Sequence, residues 1–200
     1  MPNFFFNSLW PGLAAWSILY VSDYALTITC ARLYQAGVKE KIAFEGSYEI
    51  TPYYQKDINS LRLISPRFLA MLLLSGSLLS LVWVLNGQSH VEFYELVLGA
   101  MILVQLTIHV RHLRNLLLFR AINYTDAVRG RIECSRALLL RMSSSECLVF
   151  SGLFLMLFAF TYSWFILGGV IGCLSLAEKH RRLAGKLSSG VTTAQPQQGT

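Results

Sequence analysis

From Cys147 to Ala177, thirty-one consecutive residues carry no charged side chain. Three more apolar runs precede this one, Leu13 to Ala31, Phe68 to Leu85 and Phe93 to Val110, interrupted within the first only by Asp23. A bilayer hydrocarbon core about 30 Å thick is crossed by roughly 20 apolar residues in a helix, so each run is long enough, or nearly so, to span it. Only 14% of the 200 residues are charged and 54% are hydrophobic, whereas an average soluble chain is charged at about a quarter of its positions. The expected fold is all-α: a polytopic four-helix transmembrane bundle with short amphipathic cytoplasmic helices. Spans are expected near 10–33, 66–86, 92–119 and 146–176 of a single membrane domain covering 1–187, followed by a disordered tail from 188. Residues 1–12 contain no Lys or Arg, so a cleaved signal peptide is not expected and the first run stays in place.

Charge placement sets the expected topology. Six basic residues lie between Arg32 and Arg67 and seven between Arg111 and Arg141, while the first twelve residues and the stretch 86–92 have none. Basic connections stay cytoplasmic, which places the N-terminus outside and both basic connections in the cytoplasm, in a bacterial cytoplasmic membrane. The fourth run is ambiguous. As one helix it would measure about 46 Å, and a long tilted span would leave Lys179, Arg181, Arg182 and Lys186 on the outside. A re-entrant hairpin broken near Gly168, Gly169 and Gly172 would instead bring them back. The single helix is the expected form, with both termini outside.

Polar groups inside the spans are the candidates for chemistry, because an intramembrane charge is costly unless paired, hydrated or neutralised. Asp23 lies well within the first run and shares a helical face with Tyr20 and Thr27. In the third run Gln105, His109 and His112 recur at helical spacing. Counted along parallel helices, Asp23 and Gln105 fall at similar depth. A polar seam of Asp23, Thr27, Gln105, His109 and His112 is therefore expected between these spans. It either carries protons, an ion or a small polar ligand, or serves as hydrogen-bonded glue between helices.

Three further groupings stand out. Arg111, Arg114, Arg120, Arg129 and Arg131 cluster where the third span leaves the membrane, a composition suited to phosphate or anionic lipid head groups. Glu45, Glu49 and Asp57 in the first connection read as solvated charges balancing Lys39, Lys41 and Lys56. Gly76, Gly168 and Gly172 permit close helix approach, within the chain or in a homodimer seam. Thr51-Pro52 marks the start of an amphipathic helix, and Ser143–Ser145 with Glu146 marks the start of the last span.

No motif for catalysis, a cofactor or a metal is present: there is no Gly-rich phosphate loop, no His-Glu-x-x-His, no Gly-x-Ser-x-Gly and no Cys-x-x-Cys. The net charge of +6 borders membrane helices, so nucleic acid is not an expected partner. Expected partners are the bilayer, including anionic head groups, and a second copy or another membrane protein. The leading function class is a non-enzymatic membrane protein, a small transporter, channel-like unit or accessory subunit. The alternatives are a membrane-embedded enzyme acting on a lipid or lipid-linked substrate, and an assembly factor.

Overall fold

The computed structural model describes residues 6, 8–86, 90–125 and 128–192, with the backbone alone for 189–192. Part of the tight turn after the second span (87–89) and the last eight residues of the expected tail lie outside this set.

Six helices run through the described residues. Helix α1 is Leu9–Lys41, wound as a π-turn over Tyr34–Val38; α2 is Pro52–Asn59, α3 Pro66–Asn86, α4 Val91–Tyr124, α5 Arg136–Thr161 and α6 Trp164–Thr192. Four of these, α1, α3, α4 and α5, are long and apolar enough to cross a membrane. Their outward faces suit lipid. On α3, Leu73, Leu74, Val84 and Leu85 are each more than 60% exposed, a surface that would drive aggregation in water.

Three expectations need correction. The fourth apolar run does not form one helix over 146–176. It folds as a hairpin of α5 and α6 that turns at Tyr162, whose backbone is left-handed (φ 49°) and whose N–H closes α5 on Phe158 O at 2.8 Å. The turn is not at the glycines. Gly168 lies against the Leu96 backbone and Gly172 against Ala100 and Val104, while Gly99 of α4 lies against the Phe165 backbone, so these residues let α4 and α6 touch. Gly168-x-x-x-Gly172 thus packs within the chain. Gly76 makes a looser contact, a Cβ there falling 3.4 Å from Leu13.

The second correction concerns the start of α5. It begins at Arg136, with the Ser135 hydroxyl accepting the Leu138 N–H at 3.2 Å, rather than at Ser143–Ser145. Those serines sit mid-helix and bind the hairpin partner instead: Ser143 Oγ to His180 Nδ1 at 2.7 Å and Ser144 Oγ to Ala177 O at 2.8 Å. Ser151 Oγ donates to Val170 O at 3.2 Å further along, fixing an antiparallel register. Among the described residues the third connection accordingly holds no separate amphipathic helix. It contributes strand β2 (Ile132–Cys134), which pairs in parallel with β1 (Ile42–Phe44) in the register Ile42↔Ile132.

The third correction follows from the hairpin. Because α6 returns beside α5, its basic run lies with the two basic connections rather than opposite them. All seventeen Lys and Arg residues therefore fall at one end of the molecule. The described part of the expected disordered tail is also helical, since α6 continues to Thr192.

Packing is layered along the bundle. Trp16, Leu79, Tyr94, Leu98 and Ile102 form a core towards the charge-poor end. Cys30, Tyr34, Val38, Phe119 and Ile122 form another at the basic end, beneath Phe44 and Tyr48 of the first connection. The third joins α1 to α2 through Ile28, Ala31 and Ile58.

Candidate functional site

Between the first two of those layers α1 and α4 do not meet through apolar side chains. Ser22 Oγ lies 2.7 Å from His109 Nε2, and His109 Nδ1 lies 2.8 Å from Gln105 O. One turn nearer the basic end, His112 Nε2 faces Thr27 Oγ1 at 3.2 Å and Asp23 Oδ1 at 3.3 Å. The five seam residues of the sequence are thus brought together at one helix–helix interface. His109 is bound up in this contact, whereas Asp23, Thr27, Gln105 and His112 line a cavity of about 250 Å³.

The roof of that cavity is the first connection, which supplies Tyr48, Glu49, Thr51 and Tyr54. It is fastened at both ends. On one side β1 pairs with β2, Glu45 Oε2 accepts the Arg136 N–H at 2.9 Å, and Arg136 Nη2 donates to Ile50 O at 3.0 Å. On the other, Asp57 is 3% exposed and accepts from Ser65 Oγ at 2.6 Å, with Arg62 and Arg67 at 3.7 and 3.8 Å. Of the acids of the first connection, Asp57 and Glu49 are therefore not the solvated charges their sequence suggests, Asp57 anchoring the roof and Glu49 facing inward, while Glu45 is exposed and also holds the Arg136 N–H.

Burial raises the Glu49 carboxyl pKa above the ordinary range, an effect that the bond from Thr51 N–H to its Oε1 at 2.7 Å opposes. Burial likewise pushes the Tyr48 phenol well above its usual value. Tyr48 is positioned by stacked and edge contacts with Tyr34 and Phe119. Its hydroxyl lies 3.4 Å from both His112 Nδ1 and Asn115 Nδ2. Aromatic rings finish the wall. Phe68 stacks on Tyr20 and Tyr24, with centroids 5.1 and 4.4 Å apart, and the Tyr20 and Tyr54 hydroxyls are 2.8 Å apart.

Two buried polar atoms in the cavity lack a well-formed hydrogen bond. They are Asp23 Oδ1 and Gln105 Nε2. The Gln105 amide lies near enough to the Asp23 carboxylate to act on it as a hydrogen-bond donor, but outside good geometry, and Gln105 is only 5% exposed. Leaving a buried donor or acceptor unpaired costs about 1–3 kcal/mol each.

A second cavity of about 350 Å³ adjoins the first and shares Tyr48, Ile50, Arg111 and Asn115 with it. The rest of its lining is mostly apolar, including Leu118, Phe119, Leu139 and Met142. Leu118 and Met142 are partly exposed on the outer surface, at 42% and 46%. Arg111 stands at the junction, its Nε 2.6 Å from Glu146 Oε2.

Compared with protein-family models, curated proteins and solved structures, the chain matches none.

Of the arginines, Arg111 and Arg114 both pair with Glu146, Arg131 pairs with Glu133, and Arg120 and Arg129 are exposed. Among the described residues no group of three or more His, Cys, Asp and Glu side chains has metal-binding geometry. The residues that sequence reasoning missed are Tyr48, Glu49 and Tyr54, together with Ser143 and His180. Helical periodicity reveals neither a loop residue folded over a bundle nor a serine paired across an unanticipated hairpin.

Proposed function

We propose that the protein is an integral membrane protein that binds an amphiphile, a lipid or lipid-linked molecule, at the boundary between hydrocarbon and head groups on its basic side. The polar head occupies the cavity around Asp23 and Gln105, and the apolar part lies along Leu118, Leu139 and Met142. The observation that carries this reading is the shared wall. A polar cavity and an apolar one meet at Tyr48, Arg111 and Asn115, and the apolar one borders the outer surface.

Depth agrees with this placement. Arg111 lies twenty residues along α4, about 30 Å from its charge-poor end, which is the thickness of a hydrocarbon core. With every Lys and Arg at one end, the basic end faces the cytoplasm in this reading. The exposed Arg120 and Arg129 then meet the anionic leaflet surface.

A channel is less well supported. Trp16, Leu79, Tyr94, Leu98 and Ile102, none more than 6% exposed, stand between the cavity and the opposite end. One contact favours chemistry on the bound molecule as a second reading. Ser143 Oγ and His180 Nδ1 are 2.7 Å apart, Ser143 lining the apolar cavity and His180 the polar one, as a hydroxyl and its general base would be arranged. Labelling of Ser143 by a lipophilic fluorophosphonate, lost in His180→Ala, would support it; an unlabelled serine would exclude it.

The binding proposal is tested by native mass spectrometry of the protein released from membranes in mild detergent. A retained amphiphile is expected, and Leu139→Trp, which fills the apolar cavity, should remove it. No retained species, or equal retention in the variant, would refute the proposal.

A further inference from the structure

The head that fits the polar cavity has a definite charge. Two carboxylates face it, Asp23 and Glu49, and among the described residues neither lies within 4 Å of a Lys or Arg nitrogen; His112 Nε2 lies 3.3 Å from Asp23. Among the described residues the only Lys or Arg in the lining is Arg111; it acts electrostatically on both carboxylates, while its Nε pairs with Glu146 at 2.6 Å and its Nη2 reaches towards Ser143 O at 3.5 Å. Two carboxylates thus share one guanidinium that Glu146 also engages, and a cation in the cavity would complete the balance.

The remaining features narrow the cation. Asp23 Oδ1 forms no well-formed hydrogen bond, although His112 Nε2 lies 3.3 Å away, and Glu49 accepts the Thr51 N–H at Oε1. Tyr20, Tyr24 and Phe68 line the same space, Phe68 stacked on both tyrosines, and aromatic rings attract ammonium groups. Gln105 Nε2, on a residue only 5% exposed, lacks a well-formed hydrogen bond. It calls for an acceptor on the ligand rather than another donor.

We infer that the polar cavity recognises a protonated amine carried a few bonds from an oxygen acceptor, the ammonium seated between Asp23 and Glu49 against the aromatic wall and the oxygen facing Gln105. The inference rests on the amphiphile reading for the position of the molecule, since Arg111 at the junction would then lie beside a phosphate linking head to chain. An anionic head without an amine does not fit, because it would be placed against two carboxylates.

The test uses the full chain in nanodiscs and compares lipids with identical acyl chains: phosphatidylethanolamine, its N-acetylated form, which lacks the charge, and phosphatidic acid, which lacks the amine. Free O-phosphoethanolamine serves as the chainless probe. Retention by native mass spectrometry should favour phosphatidylethanolamine by about ten-fold over the other two lipids. Asp23→Asn and Glu49→Gln should each reduce that preference to about two-fold or less. Should Asp23→Asn fail to fold, Glu49→Gln and the wild-type lipid comparison still decide.

Equal retention of phosphatidylethanolamine and its N-acetylated form, tighter binding of phosphatidic acid, or an unchanged preference in both variants would overturn the amine while leaving the amphiphile reading intact. Binding of the free head group as tight as that of the lipid would support the amine and overturn the amphiphile reading. Retention of no lipid and no free head group would overturn both.

Discussion

Replacing Gly168 by alanine puts a methyl group where α4 and α6 already touch. The new Cβ would overlap the Leu96 carbonyl oxygen and lie 2.7 Å from Ala100 N, well inside the roughly 3.5–4.0 Å at which such atoms attract. Backbone, not a flexible side chain, occupies the space, so the helices must part by about an ångström. Overpacking of this kind costs about 1–3 kcal/mol, against which alanine recovers about 1 kcal/mol of helix propensity. Gly152→Ala supplies the control, since nothing lies within 4 Å of its Cβ position and only the propensity gain of about 1 kcal/mol remains. A gap of about 1–3 kcal/mol between the two variants is expected in reversible unfolding by sodium dodecyl sulfate in mixed micelles, followed by tryptophan fluorescence. Equal stability of the two variants would refute the α4–α6 contact and return Gly168 and Gly172 to a homodimer seam.

Other expectations concern charge, topology and the hairpin turn. Glu49 has a folded-state pKa raised by burial, so the protonated form is the one folding favours, and its stability contribution is lost as pH rises through that value. Glu49→Gln keeps the acceptor for Thr51 and removes the charge; in ligand-free protein its melting temperature should exceed that of the wild type near pH 8 and converge with it near pH 4. If burial were irrelevant, the difference would not change with pH. A single cysteine at Ser188 should be labelled by a membrane-impermeant maleimide from the same side as one at Lys39, and one at Ser163 from the opposite side; labelling of Ser188 and Ser163 from one side would refute the hairpin as a membrane structure. Tyr162 holds a left-handed backbone, so Tyr162→Ile should destabilise by about 1–2 kcal/mol while Tyr162→Gly should not; equal loss in both would show that the ring, not the backbone, matters there.

The parts of the fold written in local pattern were legible. Long uncharged runs located the first three spanning helices, Thr51-Pro52 located α2, and counting depth along parallel helices placed Asp23 near Gln105. The hairpin was hidden because Thr161-Tyr162-Ser163 contains none of the usual breakers, while the glycines that look like breakers serve helix contact. What marks the hairpin is nonlocal: Ser143, Ser144 and Ser151 bond across to α6, and the basic tail then joins the other positive charges. That tail was the one disagreement in the charge distribution, and it was the informative one. Glu49 and Asp57 were misread because a charged loop normally sits in solvent; here β1, Arg136 and Ser65 hold the loop over the bundle.

A structure determined in native lipid at a resolution that separates side chains examines the binding site itself. Continuous density should run from the space between Asp23 and Glu49, past Arg111, to Leu139 and Met142 and out to the lipid face. A collapsed cavity, with Gln105 Nε2 bonded directly to Asp23 and no density beyond Arg111, would contradict an amphiphile site and leave the polar residues as a contact that holds α1 to α4.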